Sequence, residues 1–125
     1  LEHAGPNGSS LAPPEQPRDL LHVIAQPVVL CGLTHTQRAV KVTDGPLVIN
    51  PGSVGLPGFY DDVPYPHVIQ CGSPHARYAI LDESGGHWLA DFVAVEYDWD
   101  SAAAIAAKAG SPWARAIATG YAQTL

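Results

Sequence analysis

The sequence predicts a mixed α/β domain of the α+β kind. Three observations lead there. A continuous apolar run, Val28-Val29-Leu30-Cys31, is bounded by Pro27 and Gly32, as expected of a strand buried on both faces. Two pairs of β-rich runs are each broken by a turn signal, Thr43-Asp44-Gly45 in one and Ser84-Gly85-Gly86 in the other. An alanine-rich tail from Ala102 onward carries the caps and stops of short helices. At 125 residues the chain has room for one domain.

Taken in order, residues 1–14 are rich in Gly, Ser and Pro without an apolar period, and read as loop. Leu20, Leu21, Val23 and Ile24 suit a short helix between Glu15 and Gln26, with Pro17 in its first turn and Pro27 as its stop. The strand from Val28 runs into Gly32-Leu33-Thr34-His35, a polar loop at a strand's C-terminal end, where chemistry is often placed. Arg38–Val42 and Pro46–Asn50 form a hairpin, followed by the turn cluster Asn50-Pro51-Gly52-Ser53-Val54-Gly55. Leu56 to Pro74 is proline-rich and reads as one long irregular loop. Ala76–Asp82 and His87–Tyr97 make a second hairpin. Trp88, Ala90, Phe92 and Ala94 lie on one face of its second arm and Leu89, Val93 and Val95 on the other, so that strand is expected to be covered on both sides. Asp100-Ser101 caps a helix ending at Gly110, and Ser111-Pro112 starts another ending near Gly120. The chain thus divides into a loop (1–14), a helix and sheet (15–97) and a helical tail (98–125). A sheet of these pieces alone leaves edges and apolar faces exposed, which leaves room for further strands or a homo-oligomer.

Composition narrows the function. Apolar residues at 46% and charged residues at 14% exclude intrinsic disorder, and no apolar run is long enough to span a membrane. Twelve acidic residues against six basic ones give a net charge of −6, a field that repels phosphate backbones and disfavours general nucleic-acid binding. Two cysteines are too few for a disulfide-stapled secreted scaffold, and a cytoplasmic location is expected. The chain contains no methionine and opens Leu1-Glu2-His3, which predicts an internal or C-terminal piece of a longer protein.

The sharpest pattern is Val28-Val29-Leu30-Cys31-Gly32-Leu33-Thr34-His35, then the hairpin, then Asn50-Pro51-Gly52-Ser53-Val54-Gly55. This resembles the calcineurin-like metallophosphoesterases, in particular their small bacterial branch. There an apolar strand ends in Gly-His-Thr/Ser-His, and a β-hairpin returns to Asn-Pro-Gly-Ser-Val-Gly. The likeness continues through Ser73-Pro74-His75-Ala76-Arg77-Tyr78-Ala79 and into Pro112-Trp113-Ala114-Arg115, and covers nearly all the chain from Val28 onward. It implies the C-terminal part of a four-layer α/β/β/α sandwich that hydrolyses a phosphomonoester or phosphodiester. It also implies two divalent ions drawn from Mn, Fe, Zn or Ni. Two histidines at i and i+2 on a tight loop can reach two ions, which generate a metal-bound hydroxide and clamp the phosphoryl oxygens.

The same resemblance exposes two departures. Leu33 stands where the first histidine of Gly-His-Thr-His belongs, and leucine cannot ligate. The family's Asp-x-His, Gly-Asp and Asn-His blocks are absent from this chain. His35 matches the second histidine, and His3 is matched to an upstream His-Gly position although Ala4 intervenes. His35 and His3 are therefore the candidate metal ligands, against the alternative that both are solvated or hydrogen-bonded loop histidines. Two ligands fall short of a binuclear site, so this chain alone is expected to be inactive, with no catalytic residue of its own and its substrate contacts unassigned. A second reading is a non-catalytic interaction module that kept the fold and lost the metals, which Leu33 favours.

Other patterns compete. Cys31-x-x-x-His35 and Cys71-x-x-x-His75 could build a structural Cys₂His₂ zinc site, although each cysteine ends an apolar run as a buried thiol would. Asp61-Asp62 reads as a solvated turn or a substrate rim. Arg77 reads as a strand arginine paired with Asp82 or Asp91, or as a phosphate contact. Ser53 reads as a turn hydroxyl, and Trp88, Trp99 and Trp113 as core or helix-docking residues.

Overall fold

The structure, a computed structural model, describes residues 2–5, 8–13, 15–63 and 65–122. The described residues form a mixed α+β arrangement of nine strands and three short helices. Two strands, β1 (Glu2–Gly5) and β2 (Gly8–Leu11), pair antiparallel where the composition suggested loop. Small polar residues can still share a backbone ladder, which needs no apolar side chain. Helix α1 (Glu15–Leu21) stops short of the expected Gln26. Beyond Leu21, Val23 is 76% exposed and only Ile24 is half-buried, so little packing supports a further turn.

Strands β3 (Val28–Leu30), β4 (Arg38–Lys41) and β5 (Leu47–Asn50) form one sheet in the order β3-β5-β4. β3 runs parallel to β5, and the β4–β5 hairpin pairs Lys41 with Leu47 and Arg38 with Asn50. The turn between them is held by Gly45 N–H donating to the Val42 carbonyl, with Asp44 at φ +55°. β5 is the central strand and carries the core: Val48 and Ile49 are buried, with Val42 and Pro46 beside them. β3 is not buried on both faces as its apolar run suggests. It is an edge strand among the described residues, with Val28 and Val29 half-buried and Leu30 exposed.

The stretch read as a long loop contains a second hairpin, β6 (Gly58–Asp61) and β7 (His67–Gln70), with Phe59 opposite Ile69 and Tyr60 opposite Val68. Pro57 and Pro66 lie just outside the strands, where a missing N–H costs the ladder nothing. β8 (Ala76–Ser84) and β9 (His87–Val95) form a long two-stranded ribbon. Gly85 and Gly86, at φ +59° and +77°, supply the two-residue turn that matches the strands' twist. The ribbon is not covered on both sides: Tyr78, Ile80, Leu89 and Val95 are each about two-fifths or more exposed on one face.

Helix α2 (Trp99–Lys108) is capped not by Asp100-Ser101 but two residues before Asp100, by Asp98, whose side chain accepts from the Ser101 N–H at 3.0 Å. Gly110 at φ +69° ends it. Helix α3 (Ala114–Thr119) stops at Gly120 in the left-handed region. The tail is fastened to β6–β7 through backbone: the Gly72 N–H donates to the Gly120 carbonyl, and a side chain at Gly58 would press on the Gly120 carbonyl and the Ala122 N–H. Trp113, expected to dock, is 49% exposed. The accessible surface totals 7684 Å², against roughly 6,400 Å² for a compact monomer of this mass. Uncovered strand residues such as Leu30, Ile80 and Leu89 contribute to the excess. No helix among the described residues is long and apolar enough to cross a membrane.

Candidate functional site

The loop after β3 and the turn after β5 meet because their strands are parallel neighbours. Both chains leave the sheet at the same end, and the Cys31 N–H still donates to the Ile49 carbonyl at 2.9 Å. Beyond that point Asn50 joins the two segments. Its Nδ2 donates to Thr34 Oγ1 at 2.9 Å, and its Oδ1 accepts from the Gly52 N–H at 3.0 Å. Asn50 and Thr34 are both buried, so the bonds are shielded from competing water. Gly52, at φ +88°, admits no side chain: a Cβ there would lie 2.8 Å from Arg77 Cβ and 2.9 Å from Gln37 Cγ. The Ser53 hydroxyl accepts from the Leu56 N–H at 3.0 Å, the turn role read for it.

Locked against this turn, the Gly32–His35 loop takes an uncommon path. Leu33 and His35 both have positive φ, +87° and +56°. Such a backbone costs a non-glycine residue about 1–3 kcal/mol and persists where its surroundings over-determine it. Leu33 is also 80% exposed, so its side chain recovers nothing by burial.

His35 is half-buried and fixed on two sides. Its Nδ1–H donates to the Leu56 carbonyl at 2.6 Å, and its ring meets Phe59 edge-on at 4.9 Å between centroids. A carbonyl can only accept, so in the neutral ring the proton sits on Nδ1 and Nε2 carries the lone pair. A histidine anchored this way presents Nε2 as a metal ligand would, with the carbonyl setting tautomer and ring direction. The Cys71 Sγ–H donates to the His35 carbonyl at 3.1 Å and braces the same residue from behind.

The other candidates fall elsewhere. The backbone of His3 lies in β1, and its side chain lies outside what is described. Arg77 pairs with neither Asp82 nor Asp91. Its guanidinium donates to the carbonyls of Cys71, Ser73 and His75 and to Ser73 Oγ, and so clamps the 71–75 loop. His75 packs on Trp99, with centroids 5.3 Å apart, and its Nδ1 lies 3.2 Å from Ser73 Oγ. Cys71 is spent on a backbone carbonyl, and burial pushes its thiol pKa up, with Arg77 opposing weakly. Asp61 accepts from the Val63 N–H at 3.0 Å, a local turn.

Sequence reasoning missed the Asn50–Thr34 link and the Leu56 carbonyl, because both join segments distant in the chain. Asn-Pro-Gly was the available signal for the first, since an Asx turn leaves the amide nitrogen free to bond elsewhere. Compared with family models and with curated protein sequences, the chain finds no match in either.

Whether these residues fit two divalent ions can be tested on the donor set. His35 fits as one ligand and Leu33 cannot be another. Among the described residues no three His, Cys, Asp or Glu side chains gather as a metal group would. The described residues therefore do not assemble the donor set of a binuclear centre.

Proposed function

We propose that this chain carries one face of a calcineurin-like metallophosphoesterase site, in a four-layer α/β/β/α domain that hydrolyses a phosphomonoester or phosphodiester in the cytoplasm. The observation that carries the reading is His35, with Nδ1 tied to the Leu56 carbonyl and Nε2 left as its ligating atom. Two divalent ions, when bound, supply the Lewis acidity of such hydrolysis. This chain's part is to hold Nε2 in place, through Asn50, Thr34 and the Ser53 turn, and to keep that lone pair available by fixing the tautomer. Its remaining ligands come from outside the described residues, and the chain by itself does not turn over phosphoesters.

Leu33 favours a second reading, an interaction module built on the same frame. An 80% exposed leucine at φ +87° serves neither a core nor a ligand.

Metal binding by the Leu33→His variant separates the two. On the first reading, Co²⁺ binds the wild-type chain weakly through His35, and Leu33→His tightens it by at least about tenfold, the least that outer partners alone contribute to metal sites. Unchanged affinity, or Co²⁺ that never reaches His35, contradicts it. Metal-dependent cleavage of bis(p-nitrophenyl) phosphate by the wild-type chain would contradict the one-face assignment.

A further inference from the structure

At the opposite end of the sheet from His35, the tips of two hairpins border a half-open cavity. Its volume is about 390 Å³, within the range of small-molecule sites. Pro27, Lys41, Leu47 and Trp88 line it, with Gly45 and Gly86 from the two turns and His87 at the ribbon tip. Pro27 begins β3 and the His35 loop follows its end. At about 3.3 Å per residue the two are separated by roughly 13 Å along the strand. This cavity is therefore no part of the site after β3.

Its lining is unusual for this protein. Acidic residues outnumber basic ones two to one in the chain, yet this wall carries a lysine and a histidine and no carboxylate. Asp44 and Glu83 are neighbours of lining residues but neither lines the cavity; Glu83 lies directly opposite Trp88 across the ribbon. Lys41 is held in position, because Nζ donates to the Gly45 carbonyl at 2.7 Å. An ammonium has three protons, so two remain to donate. Trp88 is half-buried and offers an indole wall, with Pro27 and Leu47 as further apolar surface.

We propose that this cavity binds a small aromatic anion, its ring against Trp88, Pro27 and Leu47 and its charged group on Lys41, with His87 adding charge when protonated. A flat ring matches an indole-and-proline wall better than a branched aliphatic group does. The anion recovers a charge-assisted bond from an ammonium already pinned in place, which lowers the ordering cost of binding. The site stands apart from the phosphoesterase reading and suits an effector.

Phenyl phosphate is the probe, titrated into the full chain in EDTA while backbone and indole N–H shifts are followed. Saturable shifts confined to Trp88, Gly86, His87 and Gly45 are expected. Inorganic phosphate and benzyl alcohol should each bind at least about tenfold more weakly, since each offers half of the recognition. Lys41→Met should weaken phenyl phosphate about fivefold, the weight of an exposed ion pair, while Lys41→Arg retains it. Lys41 is exposed, so its loss does not threaten the fold. No saturable shift, shifts centred on the Gly32–His35 loop, benzyl alcohol binding as tightly as phenyl phosphate, or an unaffected Lys41→Met would each overturn the proposal.

Discussion

Asn50 Nδ2 donates to Thr34 Oγ1 at 2.9 Å, buried at both ends, and so ties the turn after β5 to the loop after β3. The same side chain accepts from the Gly52 N–H, which makes Asn50 the joint on which the His35 loop is carried.

Asn50→Ala removes the Thr34 link and the acceptor of the Gly52 N–H together. Loss of stability of about 1–3 kcal/mol is expected, the cost of leaving a buried polar group short of its partner. Urea unfolding measures it. Amide shifts of Leu33, Thr34 and His35 should move with it, while those of β8 and β9 stay in place.

Gly120 closes α3 in the left-handed region at φ +78°, with a Cβ position that overlaps the backbone of Ser73. Gly120→Ala therefore meets both a strained backbone and a clash that no side-chain rotation relieves. A loss of about 2 kcal/mol or more is expected by urea unfolding, with exchange protection lost first at the Gly72 N–H.

Burial raises the Cys71 pKa, and Arg77 only partly offsets it. A thiol raised this way keeps its proton longer in the folded chain than in the unfolded one. Its contribution is whole below the unfolded thiol's pKa and is lost as pH climbs through the folded value. Urea midpoints followed from neutral to alkaline pH should fall more steeply for the wild type than for Cys71→Ala, and iodoacetamide should modify the folded thiol slowly at neutral pH.

Asp98 titrates in the other direction. The hydrogen bonds to Ser101, side-chain first and backbone second, hold its carboxyl below the ordinary range. The support it gives α2 is present above the unfolded carboxyl pKa and fades as pH falls through the folded one. The Ser101 amide shift should follow that titration, and Asp98→Asn should abolish the dependence while keeping the cap.

The elements with strong local punctuation were legible: Asp44-Gly45 and Gly85-Gly86 turn where their φ values allow, and Gly110 and Gly120 stop their helices. β6 and β7 were hidden because Pro57 and Pro66 sit beside the strands, and a proline count does not show on which side of a strand end the proline lies. Burial was legible only as an expectation of what must be covered. Leu30, Ile80 and Leu89 have the sequence of buried strand residues, and the described residues bring nothing over them. At the candidate site, the motif singled out His35 as a residue to examine, whereas its partners Leu56 and Cys71 depend on β6–β7 returning beside the loop.

The central claim is that His35 is held with Nε2 ready to ligate, and its tautomer tests this most directly. Long-range ¹H–¹⁵N correlation on the neutral ring should find the proton on Nδ1 and a bare Nε2, and Zn²⁺ should shift Nε2 alone. A proton on Nε2, or a ring exchanging freely between tautomers, would contradict the account and leave His35 a loop histidine.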